Sequence, residues 1–128
     1  MIARRELMAG LALGLVGTRA LAAPSTPFTP DAFRAAQAAD KAILVDITAS
    51  WCPVCKVQKP ILARLLASPR FEEMIALEVD FDRQKDALRL VDARIQSTLI
   101  VYRGGDELGR TVGDTNPVSI ELLLAMAL

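Results

Sequence analysis

Both cysteines of the 128-residue chain lie in one tetrapeptide, Cys52-Pro53-Val54-Cys55, directly behind its only tryptophan, Trp51. Thiols at that spacing can exchange electrons as a dithiol/disulfide couple, close a structural bridge, or ligate a metal. A bridge over so short a loop is worth only about 2 kcal/mol by loop-closure entropy, less than a longer crosslink supplies. A self-contained tetrahedral zinc site needs two more soft ligands, and the chain has neither a third cysteine nor any histidine. Redox exchange is the favoured reading. The alternative is a non-enzymatic metal or iron–sulfur module bridged between two subunits through Cys52 and Cys55.

The absence of histidine also removes the commonest general base and the usual partner of a nucleophilic cysteine. Proton transfer must then use carboxylates, thiols or water. Asp46 interrupts the otherwise apolar run Ala42–Ile47, and strand alternation puts its side chain on the face of Leu44, away from Val45. A buried carboxyl there would have a raised pKa and could accept the Cys55 proton as that thiol attacks.

These residues need elements to hold them, and the first question is where the chain begins to fold. Met1–Glu6 carries the pair Arg4-Arg5, Leu7–Thr18 is uncharged and apolar, and Ala20-Leu21-Ala22 is a small-x-small cleavage pattern. Residues 1–22 are expected to be a cleavable export signal of the twin-arginine type, sending the protein to the periplasm. The apolar run falls well short of the roughly 20 residues needed to span a bilayer, so no permanent membrane anchor is expected. Removing residues 1–22 leaves 106, enough for one domain, with 12 basic against 14 acidic side chains and a balance of −2. No basic block is present to follow a phosphate backbone, and nucleic acid is excluded as a partner.

Residues 23–29 are expected to form a flexible leader and 30–128 the folded domain. Thr29 can cap a helix opened by Pro30, with Phe33 and Ala36 facing inward to about Ala39. Residues 42–47 suit a buried central strand, and Ile61, Leu62, Leu65 and Leu66 continue a helical stripe after the cysteines until Ser68-Pro69. Residues 77–81 read as a strand, with Leu88, Val91 and Ile95 at helical spacing behind it. Gly104-Gly105 joins two hairpin strands, and Asn116-Pro117 opens a last helix ending near Leu128. The order αβαβαββα predicts a mixed four-stranded sheet between helices, its two helix-separated strands parallel.

At a strand-to-helix junction the Cys52 sulfur would lie near free N–H groups and the positive end of a helix dipole, which favours the thiolate. That makes Cys52 the attacking thiol and leaves Cys55, one turn further in, to resolve the mixed disulfide. Pro53 fits the first helical position, and Trp51 is expected to screen one flank of an exposed Cys52 sulfur. Lys56 and Lys59 read as a solvated helix face, and Met74 and Met126 as core or edge filling.

Several of these residues together resemble the thioredoxin-fold family. Trp51-Cys52-Pro53-Val54-Cys55-Lys56 matches its W-C-x-x-C-K signature, Asp46 stands six residues before Cys52 where the family keeps a buried aspartate, and Pro60 stands five after Cys55 where its active-site helix kinks. Ser97–Gly105 is similar to the family's P-T-L-x-x-F-x-x-G segment, and Gly113 precedes the last helix. The similarity covers nearly all of residues 40–128. It implies a three-layer α/β/α sandwich and a proton-transfer role for Asp46.

Two positions depart from the family. Ser97 stands where thioredoxins have a cis-proline facing the cysteines, and Glu78 where many have a lysine near the buried aspartate. A cis bond before serine costs about 3–4 kcal/mol, so either the surroundings enforce it or the loop differs. In either case Ser97 adds an N–H and a hydroxyl near the sulfurs and is expected to lower the Cys52 pKa and alter docking along Gln96. In this fold the proline is also thought to keep metals off the cysteines, which is why the bridged cluster remains the alternative.

The expected activity is thiol–disulfide exchange by a monomer with a redox-active Cys52–Cys55 pair and no other cofactor, clients docking along Trp51, Pro53, Gln96, Ser97 and Thr98. Uncharged Val54 replaces the histidine of strongly oxidising relatives, so the couple should be reducing. Resemblance to periplasmic reducing thioredoxins implies electrons from a membrane-embedded thiol conduit, with apocytochrome or mispaired disulfides among the clients.

Overall fold

The computed structural model describes Gly14 and residues 25–128; the expected export signal at 1–22 lies outside the described residues apart from Gly14. Among the described residues, five strands and four α-helices follow in the order β1 (Thr26–Pro27), α1 (Pro30–Ala38), β2 (Ala42–Thr48), α2 (Pro53–Leu66), β3 (Ile75–Asp80), α3 (Lys85–Leu90), β4 (Thr98–Arg103), β5 (Asp106–Val112) and α4 (Pro117–Ala125), with a short 3-10 turn at Pro69–Phe71 between α2 and β3. The sheet order is β1-β3-β2-β4-β5. β1 and β2 run parallel to β3, while β4 lies antiparallel to β2 and to β5.

Alternation along β2 divides the core. Ile43, Val45 and Ile47 pack with Phe33 and Ala36 of α1 and Ala87 and Leu88 of α3. Ala42 and Leu44 point the other way, toward Leu62, Leu65 and Leu66 of α2 and Ile120, Leu123 and Leu124 of α4. Each of these side chains is worth roughly 1.5–3 kcal/mol when fully buried if it is a large aliphatic, which is why a period-two pattern fixes the strand's two faces. The result is the expected three-layer sandwich.

The caps follow the sequence closely. The Thr29 side chain accepts from Ala32 N–H, and the Asn116 side chain accepts from the N–H groups of Val118 and Ser119, with Pro30 and Pro117 opening the helices behind them. Two expectations need correction. The sheet has five strands where four were predicted, because Thr26–Pro27 adds to β3 and Phe28 N–H donates to the Glu78 carbonyl at 2.7 Å. Of the segment 23–29 read as a flexible leader, residues 23 and 24 lie outside the described residues and the rest is anchored from Thr26 onward: Phe28 is buried, its ring tilted against that of Phe33 with centroids 5.3 Å apart. The other correction concerns α3, which ends at Leu90, leaving Ile95 outside it and exposed. Asp92 turns to a φ of 51°, and the Arg110 guanidinium donates to the carbonyls of Val91 and Asp92, closing the helix end.

Candidate active site

β2 ends at Thr48 and the chain reaches α2 five residues later, with Cys52 as the N-cap of that helix. The Cys55 N–H donates to Cys52 Sγ at 3.1 Å, so a sulfur occupies the place that a serine or aspartate oxygen fills in ordinary caps. Pro53 sits exposed at the first helical position, where its missing N–H costs nothing. Cys52 and Cys55 are joined as a disulfide with a Cα–Cα distance of 5.3 Å, which leaves neither sulfur free as a metal ligand in this state.

The Cys52 sulfur was expected to be exposed with Trp51 shielding it. Instead Cys52 and Cys55 are buried, packed with Ala49, Val54 and Phe81. Trp51 is half-exposed beside them, its ring edge-on to Phe81 and its Nε1–H donating to Asp82 Oδ2 at 2.8 Å. Phe81 thus supports both the tryptophan and the disulfide, a role that a lone aromatic at a strand end does not advertise in sequence.

Asp46 lies beneath α2 on the Leu44 face and is 7% exposed. It borders a cavity of about 210 Å³ with Leu44, Leu62 and Leu66, and with Lys59 and Glu78 at its charged rim. Burial, reinforced by the negative charge of Glu78 and opposed by the positive charge of Lys59, pushes the Asp46 carboxyl up from its ordinary 3.8 to about 7. Lys59 also borders a second cleft, of about 270 Å³, that includes Cys55 and Thr48. Lys59, read as part of a solvated face, is exposed as expected and yet touches both the carboxyl cavity and the cysteine cleft.

Ser97 enters β4 at the end of the sheet from which the cysteines depart, since Thr98 pairs with Ile47. Among the described residues no peptide bond is cis; Ser97 instead takes a φ of 60°. This left-handed backbone costs a non-glycine residue roughly 1–2 kcal/mol, less than the cis bond would. The expectation that its polar groups act on the sulfurs is corrected: the N–H donates to the Ile47 carbonyl at 2.8 Å and the hydroxyl to the Gln96 carbonyl. Thr98 is also corrected as a docking side chain, because it is buried and its hydroxyl donates to the Ile95 carbonyl at 2.7 Å. Gln96 is part-exposed and remains available.

One buried residue escaped the sequence reading. Gln58, three positions after Cys55, is 1% exposed and donates through Nε2 to the carbonyls of Ser97 and Asp114. Its place on the Cys55–Leu62 stripe of α2 was the available signal.

A family model described as Thioredoxin matches residues 25–125. Thioredoxin-2 of Saccharomyces cerevisiae is 31% identical over 86 residues, which are 67% of this chain and 80% of that protein. Thioredoxin H2-1 of Oryza sativa is 34% identical over 73 residues, 57% of this chain, and the match spans about half of that relative, 51%. The solved structure of Trxlp from Edwardsiella tarda superposes with a TM-score of 0.75 at 43% identity, covering 77% of this chain and 95% of that one.

Proposed function

The chain belongs to the thioredoxin family and is a thiol–disulfide oxidoreductase, and from that premise we propose that it is an exported reductant of client protein disulfides. The observation that carries the reading is the Cys55 N–H held 3.1 Å from Cys52 Sγ at the start of α2. In the reduced protein the same donor and the helix dipole favour the Cys52 thiolate, which is the attacking species.

The reaction runs in two exchanges. Cys52 Sγ⁻ attacks one sulfur of a client disulfide, forming a mixed disulfide and releasing the first client thiolate. Cys55 then gives its proton to the Asp46 carboxylate, attacks Cys52 Sγ and expels the second client thiolate, leaving the Cys52–Cys55 disulfide. The client gains two electrons and this chain's dithiol loses two. An Asp46 pKa of about 7 suits the step, because the carboxyl can both accept and release a proton near neutral pH. Lys59 borders both the Asp46 cavity and the Cys55 cleft, so its positive charge bears on both ends of that proton transfer.

Clients would dock over Trp51, Pro53 and the Gln96–Ser97 rim, the exposed Trp51 and Pro53 flanking Cys52 in the chain and the part-exposed Gln96 leading into β4 at the sheet end from which the cysteines depart. Two sequence features support the cellular setting. Arg4-Arg5, the apolar run after it and Ala20-Leu21-Ala22 support export to the periplasm through a twin-arginine signal. Uncharged Val54 supports a reducing couple, which in an oxidising compartment draws electrons from a membrane-embedded thiol protein.

Equilibration of residues 23–128 against a thiol–disulfide buffer tests the direction: a potential near about −270 mV or below supports a reductase, and one near about −120 mV overturns it. Cys55→Ser should accumulate client mixed disulfides through Cys52, and Cys52→Ser should form none. Recovery from the periplasm with a new N-terminus after Ala22 tests export, and retention of an uncleaved chain in the cytoplasm overturns it.

A further inference from the structure

Gln58 is a primary amide where the buried stripe of α2 otherwise carries Cys55, Leu62, Leu65 and Leu66. Its Nε2 donates to the Ser97 carbonyl at 3.3 Å and to the Asp114 carbonyl at 2.9 Å, while its Oε1 has no partner among the described residues. Burying an amide with one end unsatisfied is costly, and an apolar residue would fill the stripe without that cost. The two bonds therefore identify what the amide does.

They tie together three segments. The Ser97 carbonyl already accepts from Gly113 N–H at 2.9 Å, and Gly113 itself holds a φ of 72°. Gln58 adds a second donor to that carbonyl and reaches the next loop residue, Asp114. The loop entering β4, the loop leaving β5 and the second turn of the cysteine helix meet at one amide. Serine has no ring to fix its backbone, and a φ of 60° lies outside the regions it prefers, so Ser97 keeps this shape only where its surroundings hold it.

We propose that Gln58 is a positioning residue that latches the Gln96–Ser97 rim to the cysteine helix, holding the rim's backbone in the shape that docks an extended client segment beside the Cys52–Cys55 pair. This rests on the reading of that rim as a docking surface. Because the latch springs from α2, it sets the spacing between the rim and the cysteines and not merely the order of the rim.

The test is Gln58→Leu, with two readouts. In the oxidised protein, the Ser97 and Gly113 amides should exchange about tenfold faster, since a latch bond is lost while the rest of the sheet keeps its protection. In turnover, KM for insulin disulfides should rise about fivefold at little change in kcat, and the rate with a small aromatic disulfide, which needs no rim, should stay within about twofold. Unchanged amide exchange overturns the latch and leaves the docking surface standing. Faster exchange with an unchanged KM for insulin overturns the rim as the docking surface and the proposal with it. Equal losses on both disulfides overturn positioning in favour of a general defect. Gln58→Met, close in length and shape, provides the same readouts should the leucine variant fail to fold.

Discussion

Asp46 and Glu78 are register partners on adjacent parallel strands, and both open into one cavity that Lys59 reaches from α2. Two carboxylates so placed resist simultaneous ionisation, and the lysine opposes that resistance. Glu78→Gln should therefore lower the Asp46 midpoint and Lys59→Gln raise it, each by about one pH unit, with the double variant between them. Carboxyl-carbon NMR of the oxidised protein measures this directly, and the histidine-free sequence leaves no imidazole titration in the window. Movement of both single variants in the same direction would refute the electrostatic account.

The raised Asp46 pKa has a defined effect on stability. Between about pH 4 and pH 7 the native carboxyl keeps a proton that the unfolded chain has released, so stability falls as pH rises through that window and is level above it. A rise from 3.8 to about 7 corresponds to about 4 kcal/mol. Asp46→Asn should match the wild type near pH 4 and exceed its stability by about 2–4 kcal/mol at pH 8. The same variant should slow release of the client mixed disulfide by about 10²-fold at neutral pH. Urea titrations at the two pH values and single-turnover kinetics check the pair of outcomes, which oppose each other because the proton acceptor is a destabilising group.

Ser97→Pro should not be a harmless return to the family's residue. Proline fixes φ near −65° and has no N–H, whereas Ser97 holds a φ of 60° and donates to the Ile47 carbonyl. A loss of about 3 kcal/mol or more is expected by urea unfolding unless the loop rebuilds. Equal stability with an unaltered backbone would contradict the geometry described.

Phe28→Ala should cost about 3–5 kcal/mol, because the ring is 1% exposed against Phe33. A chain beginning at residue 30 should lose at least as much, along with β1. Thermal melts of both against residues 23–128 decide whether this segment belongs to the domain.

The helices and central strands were readable because local chemistry and burial agree in them: Thr29-Pro30 and Asn116-Pro117 cap, and β2 alternates between two cores. The cysteine centre was readable for a different reason, that two sulfurs at one helix start have few uses. β1 was not readable, since a strand of two residues carries no period and its proline argues for a loop. Thr98 stands at the docking rim by sequence position, but as the partner of Ile47 its side chain is buried and its hydroxyl turns to the Ile95 carbonyl. Ser97 could be seen to depart from the family without its backbone being derivable, because a left-handed serine depends on partners in three other segments. Gln58 shows the converse. A polar residue on an apolar stripe was visible, and only the carbonyls it meets give it meaning.

Pro27 has a consequence for self-association. The sheet's β1 edge ends in a strand of two residues, one of them unable to donate a hydrogen bond, and Phe28 turns inward immediately after it. Among the described residues, a second copy of the chain meets no continuous ladder on β1 on which to add a strand, so this strand discourages edge-to-edge fibre growth at the cost of a single residue's hydrogen bond.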